Sequence, residues 1–168
     1  MSNTMTLIAS HTTASGGEAS WTFSSIPQTY QDLVIYASVR DGASGVVGNT
    51  LLGSFNGSGS NFTNFVLSFG GSTPGASYYA FGQDIGADDS GSATANTFGT
   101  NIIYIPQYAS SNYKFYVSDR SLANLGAEAY NYTTANQWAN TAAISSITFT
   151  PSGSQTIQQG STFYLYGI

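Results

Sequence analysis

His11 is the only histidine of the chain, so any serine nucleophile activated by imidazole would have to use it. It sits in the stretch His11-Thr-Thr-Ala-Ser-Gly-Gly17, which reads as a loop. No Gly-x-Ser-x-Gly turn offers a nucleophile. His11 is therefore read as a solvated loop histidine.

Hydrolysis of a glycosidic bond would need two carboxylates across a cleft. The candidates are Glu18, Glu128, Asp32, Asp41, Asp84, Asp88, Asp89 and Asp119, and nothing in their spacing pairs any two. The densest acidic run is Asp84-Ile-Gly-Ala-Asp88-Asp89. Calcium takes six to eight oxygens, but this spacing is not that of an EF-hand loop. The run is expected to be a solvated acidic loop. Trp21, Trp138 and the twelve tyrosines could stack on sugar faces beside Asn or Asp. In a β protein most aromatics instead pack the core or pair across strands, and that is the expectation here. No catalytic residue, metal site or cofactor is expected, and ligand-binding residues stay open.

The elements that would carry these side chains are strands. Short runs of β-branched and aromatic residues alternate with clusters of Gly, Ser, Asn and Pro. The pattern predicts strands over Met5–Ala9, Ala19–Phe23, Asp32–Arg40, Thr50–Phe55, Phe62–Phe69, Ser77–Phe81, Thr97–Ile105, Tyr113–Ser118, Ala127–Tyr132, Ala143–Thr150 and Thr162–Tyr166. In Leu33–Arg40 a period of two turns alternate residues inward. Asn56-Gly57 between apolar runs signals a hairpin, and Gly70-Gly71 with Pro74-Gly75 signals the next reversal. Leu122–Ala129 and Thr134–Ala143 could each hold a helical turn. About eleven short strands at this spacing predict one antiparallel β-sandwich domain over residues 1–168, of jelly-roll form, with residues 1–4 as a short arm.

Composition narrows the function classes. Only 7% of the residues are charged, against about 25% in an ordinary domain. Three are basic, Arg40, Lys114 and Arg120, too few to displace counterions from nucleic acid or to hold an anionic membrane. No charge occurs from Gly42 to Gln83. Sheet edges without charged guards are easier to tolerate when other subunits cover them, which predicts a homo-oligomer, a trimer first. With no cysteine there is no disulfide framework. The N-terminus lacks a basic and apolar leader, and no stretch approaches the length of a membrane span. The sequons at Asn56, Asn61 and Asn131 are then chance matches.

Two blocks carry a resemblance. One is Trp21-Thr-Phe-Ser-Ser-Ile-Pro-Gln-Thr-Tyr30 with its continuation to Arg40. The other is Ile144-Ser-Ser-Ile147-Thr-Phe-Thr150 followed by Gly160-Ser-Thr-Phe-Tyr-Leu-Tyr-Gly-Ile168. Ala95-Asn-Thr-Phe98 and Ile103-Tyr-Ile-Pro106 fit between them. The whole, over residues 20–168, resembles a family of small virion proteins of tailed phages, common in aquatic and cyanobacterial phages. The resemblance implies a protein made in the host cytoplasm and built into the virion. It implies no catalytic residue. Two roles follow: a head decoration or cement protein bound to the major capsid protein, or a tail-fibre module that recognises host glycan. The chain contains no shaft, heptad or collagen-like repeat, which favours the head. Within the blocks, Ile26-Pro27 reads as a rigid turn feeding a core strand, and Phe163 and Leu165 are expected to face inward.

Overall fold

A computed structural model of the chain describes residues 5–46, 48–70, 75–79, 83–124 and 128–168, with backbone only at 75–79, 124 and 128. Twelve strands run in order: β1 Thr6–Thr12, β2 Trp21–Phe23, β3 Leu33–Val39, β4 Gly48–Phe55, β5 Phe62–Gly70, β6 Gly75–Tyr79, β7 Asp84–Asp89, β8 Gly99–Ile105, β9 Lys114–Asn124, β10 Glu128–Trp138, β11 Ile147–Pro151 and β12 Thr162–Gly167. Among the described residues there is no α-helix, only a short 3-10 turn at Ser152–Ser154. Among the described residues no helix is long and apolar enough to cross a membrane.

The strands form two sheets, an eight-stranded one in the order β1-β12-β3-β8-β9-β10-β5-β6 and a four-stranded one in the order β2-β11-β4-β7. All ladders are antiparallel. Four pairs nest along the chain, β1 with β12, β2 with β11, β3 with β8 and β4 with β7, and they alternate between the sheets. A long hairpin rolled up in this way is the jelly roll. Two insertions extend it. The pairs β5–β6 and β9–β10 both join the long sheet beyond β8.

The expected alternation builds the core. Leu33, Ile35, Ala37 and Val39 of β3 lie inside with Ile103, Ile105, Phe149, Phe163 and Leu165. Ile26 is buried and the Tyr108 hydroxyl donates to the Pro27 carbonyl, which fixes the turn before β3. Phe55, Phe62, Tyr116 and Trp138 form a cluster of edge-on and stacked rings.

Four expectations are corrected. Asn56-Gly57 does make a tight turn, with φ of 53° and 73°, but it joins β4 and β5, which lie in different sheets. Asn56 Oδ1 accepts the Ser145 and Ser146 amides and so ties the turn to the chain before β11. The described residues of the two expected helical turns are not helical: β9 runs to Asn124 and β10 fills Glu128–Trp138, while residues 125–127 lie outside the described set. The acidic run is not a solvated loop; it is β7, and Asp88 and Asp89 are buried. His11 lies in β1 rather than a loop. The reversal near Gly70 does occur, since β5 pairs with β6; residues 71–74 fall outside the described set, as do 80–82 at the end of the strand expected over Ser77–Phe81.

Candidate functional site

Beyond β8 the long sheet exposes apolar side chains on its outer face, while its inner face mixes polar residues with the buried Phe62, Val66, Tyr116 and Leu122. Along β5, Asn64 is buried while Phe65, Leu67 and Phe69 are exposed. Along β9, Lys114, Ser118 and Arg120 are buried while Phe115 and Val117 are exposed, Phe115 at 62%. An ordinary sandwich strand turns its apolar side inward. Here the inward side also carries polar groups that serve β7, an edge strand of the short sheet. Asn101 Nδ2 donates to the Ala87 carbonyl and Asn101 Oδ1 accepts the Ala87 amide, both at 2.7 Å. Asn64 donates to the Asp84 carbonyl at 2.7 Å and to Asn136 Oδ1 at 2.7 Å. Arg120 donates to the Gly86 carbonyl at 2.6 Å, grips both oxygens of Asp84, and lies 4.8 Å from the Tyr132 ring centre. These bonds satisfy buried main-chain groups that would otherwise be costly.

The outward side carries the apolar groups in register. One cross-strand row reads Leu7, Tyr166, Val34, Tyr104, Val117, Ala135 and Phe65. The next reads Tyr164, Tyr36, Ile102, Asp119, Thr133 and Leu67. With strands about 4.8 Å apart, eight of them make a surface roughly 34 Å wide. Among the described strand residues of this face Asp119 alone is charged, and Thr133 donates to it at 2.7 Å.

A cleft of about 660 Å3 opens beside the next row of the same face. Phe69, Phe98, Leu122 and Tyr130 give it apolar walls, and Asp89 and Asn131 give it polar groups. Asp89 is buried, and its Oδ1 has no hydrogen-bond partner. Desolvation raises its pKa, against the opposing effects of Thr97 and Arg40.

All three cations are used inside the molecule. Arg40 donates to the carbonyls of Gly91, Ala93, Thr94 and Thr97 and so closes that loop. Lys114, 1% exposed, donates to the carbonyls of Ser110 and Asn112, and its burial lowers its pKa. Arg120 holds Asp84.

The other residues weighed for chemistry have structural partners. His11 stacks on Trp21 with ring centres 3.5 Å apart and bonds Glu18 at 2.8 Å. Asp32 accepts the Tyr104 hydroxyl at 2.7 Å and the Gln107 amide at 2.9 Å. Asp41 accepts the Ala43 amide and the Asn49 side chain. The Glu128 side chain falls outside the described set. Of the aromatics, Trp138, Tyr108, Phe149 and Phe163 are in the core, as expected; Phe65, Phe69 and Phe115 are exposed on the outer face, which nothing in their local sequence marks. Comparison with protein-family models, with curated proteins and with solved structures finds no match.

Proposed function

We propose that this chain is a non-enzymatic structural protein of a phage particle, and that it acts by binding through the outer face of its long sheet. The observation that carries this reading is the band of exposed apolar side chains on the outer face, Phe65 of β5 and Phe115 and Val117 of β9, continued by Ile102, Tyr36 and Tyr164 across β8, β3 and β12. Exposed apolar area of this extent marks a protein interaction surface, and charge is sparse on it as at interface centres. The resemblance of the two sequence blocks to virion proteins supplies the setting. A head decoration role follows: a homo-oligomer, most simply a trimer, seated on the major capsid protein. A partner that binds only the assembled shell stabilises that shell by mass action.

The deciding experiment removes the protein from the particle. Cement activity is expressed as heads that assemble but release DNA sooner on heating. Heads of unchanged robustness that fail to adsorb to the host would overturn it.

The second reading is a receptor-binding module for a neutral host glycan, and the cleft favours it. Aromatic walls beside a buried carboxylate oxygen suit stacking on a sugar face together with hydroxyl recognition. Binding to a glycan panel that Asp89→Asn abolishes would establish it.

A further inference from the structure

Asp41, Asn49 and Asp88 meet at one end of the short sheet. Asp88 lies opposite Asn49 in the β4–β7 ladder, so the two side chains leave the sheet on one face. Asn49 Nδ2 holds the Asp41 carboxylate at 2.6 Å. Asp41 and Asp88 are both at 0% exposure. Neither carboxyl oxygen of Asp88 has a hydrogen-bond partner. A buried carboxylate without donors is costly, and a second one nearby adds to the cost. Of the three cations only Arg120 acts on Asp88, more weakly than burial and the charge of Asp41 do, and its guanidinium is bonded to Asp84.

We propose that Asp88 and Asp41 together bind one calcium ion. Among the described residues no group of three acidic, His or Cys side chains is placed to hold a metal, so the further ligands this proposal requires are neutral oxygens, main-chain carbonyls or water. An all-oxygen set with two carboxylates suits calcium rather than zinc or copper. A divalent ion offsets both carboxylates where a proton offsets one.

The test is thermal unfolding of the full chain in EDTA and in calcium chloride at neutral pH. With calcium a hundredfold above its dissociation constant, the wild-type midpoint is expected to rise by about 5–10 °C. Asp88→Asn is expected to melt at or above wild type in EDTA and to gain nothing from calcium. Asp119→Asn, on the other sheet, is expected to keep the full rise. A wild-type midpoint indifferent to calcium, or an equal rise in Asp88→Asn, overturns the proposal. Should Asp88→Asn not fold, calorimetric titration of wild type with calcium chloride decides: one site per chain upholds the proposal, and no binding heat overturns it.

Discussion

Asn101 and Ala87 belong to different sheets, yet the side-chain amide of Asn101 pairs with both main-chain groups of Ala87 at 2.7 Å. It bonds to β7 as a further strand would. Asn64 and Arg120 make similar contacts at Asp84 and Gly86. An edge strand is thus closed by side chains of the opposite sheet, which leaves no open edge there for another chain to extend.

Asn101→Ala removes both bonds and leaves a buried amide and carbonyl unpaired, at roughly 1–3 kcal/mol per group. A loss of about 3 kcal/mol in urea unfolding is expected. A loss under about 0.5 kcal/mol, the range of ordinary surface changes, would show that β7 does not depend on this contact.

Tyr116 is buried, and its hydroxyl has no hydrogen-bond partner. Tyr116→Phe keeps the ring against Phe55 and removes the unpaired group, so it is expected to stabilise by about 1 kcal/mol. The same residue sets an alkaline limit. Burial raises the pKa of Tyr116 and Tyr108, and the bond to Asp32 raises that of Tyr104, each above the ordinary 10.0. Above pH 10.0 the unfolded chain loses protons that the folded chain keeps, so stability falls as pH rises. Lys114, lowered from 10.5, acts in the opposite sense, and its gain is complete only once the pH has passed 10.5. Melting curves above pH 10 are expected to drop less steeply for Tyr116→Phe; an unchanged slope would count against Tyr116 as a source.

Phe115 and Phe65 stand on the outer face and contribute little to the core. The double change Phe115→Lys and Phe65→Lys is expected to leave the β-sheet circular dichroism and the unfolding midpoint nearly unchanged, as surface changes usually do. Binding to particles stripped of the protein is expected to be lost. Retained binding would remove the outer face from the proposed function.

A Cβ at Gly167 would meet the Tyr30 ring at 2.3 Å, so Gly167→Ala must displace the ring or the last strand. Overpacking of this kind costs about 1–3 kcal/mol. A smaller substitute for Tyr30 is expected to restore part of it, and absence of any rescue would show that the clash lies elsewhere.

The sequence revealed the β-sandwich because β3, β8 and β12 alternate in the ordinary way, with Leu33, Ile35, Ile103, Phe163 and Leu165 inside. It also marked Gly167 within a distinctive ending, whose physical reason is the ring of Tyr30. It misread the regions where a different rule wins. The inward positions Thr134 and Asn136 are polar because they join the buried network beneath β7, so Thr134–Ala143 lost its strand signal. Asp84, Asp88 and Asp89 look solvated on charge alone. Their strand is held by Arg120, which grips Asp84, and by Asn101, which pairs with Ala87, and both come from distant strands. The outer face was hidden for the same reason: Phe65 and Phe115 have the composition of core residues, and only the polar groups beneath them reveal which way they point.

The inward commitment of Arg40, Lys114 and Arg120 has a practical result. Trypsin cleaves only beside Lys or Arg, and each of these side chains is bonded within the fold. A chain with three sites, two of them in long paired strands and the third closing a loop, offers the protease nothing until it opens. Digestion then follows the open population rather than surface accessibility. Where opening and closing are fast relative to cleavage, the rate at which trypsin consumes this protein is a gauge of its folding equilibrium.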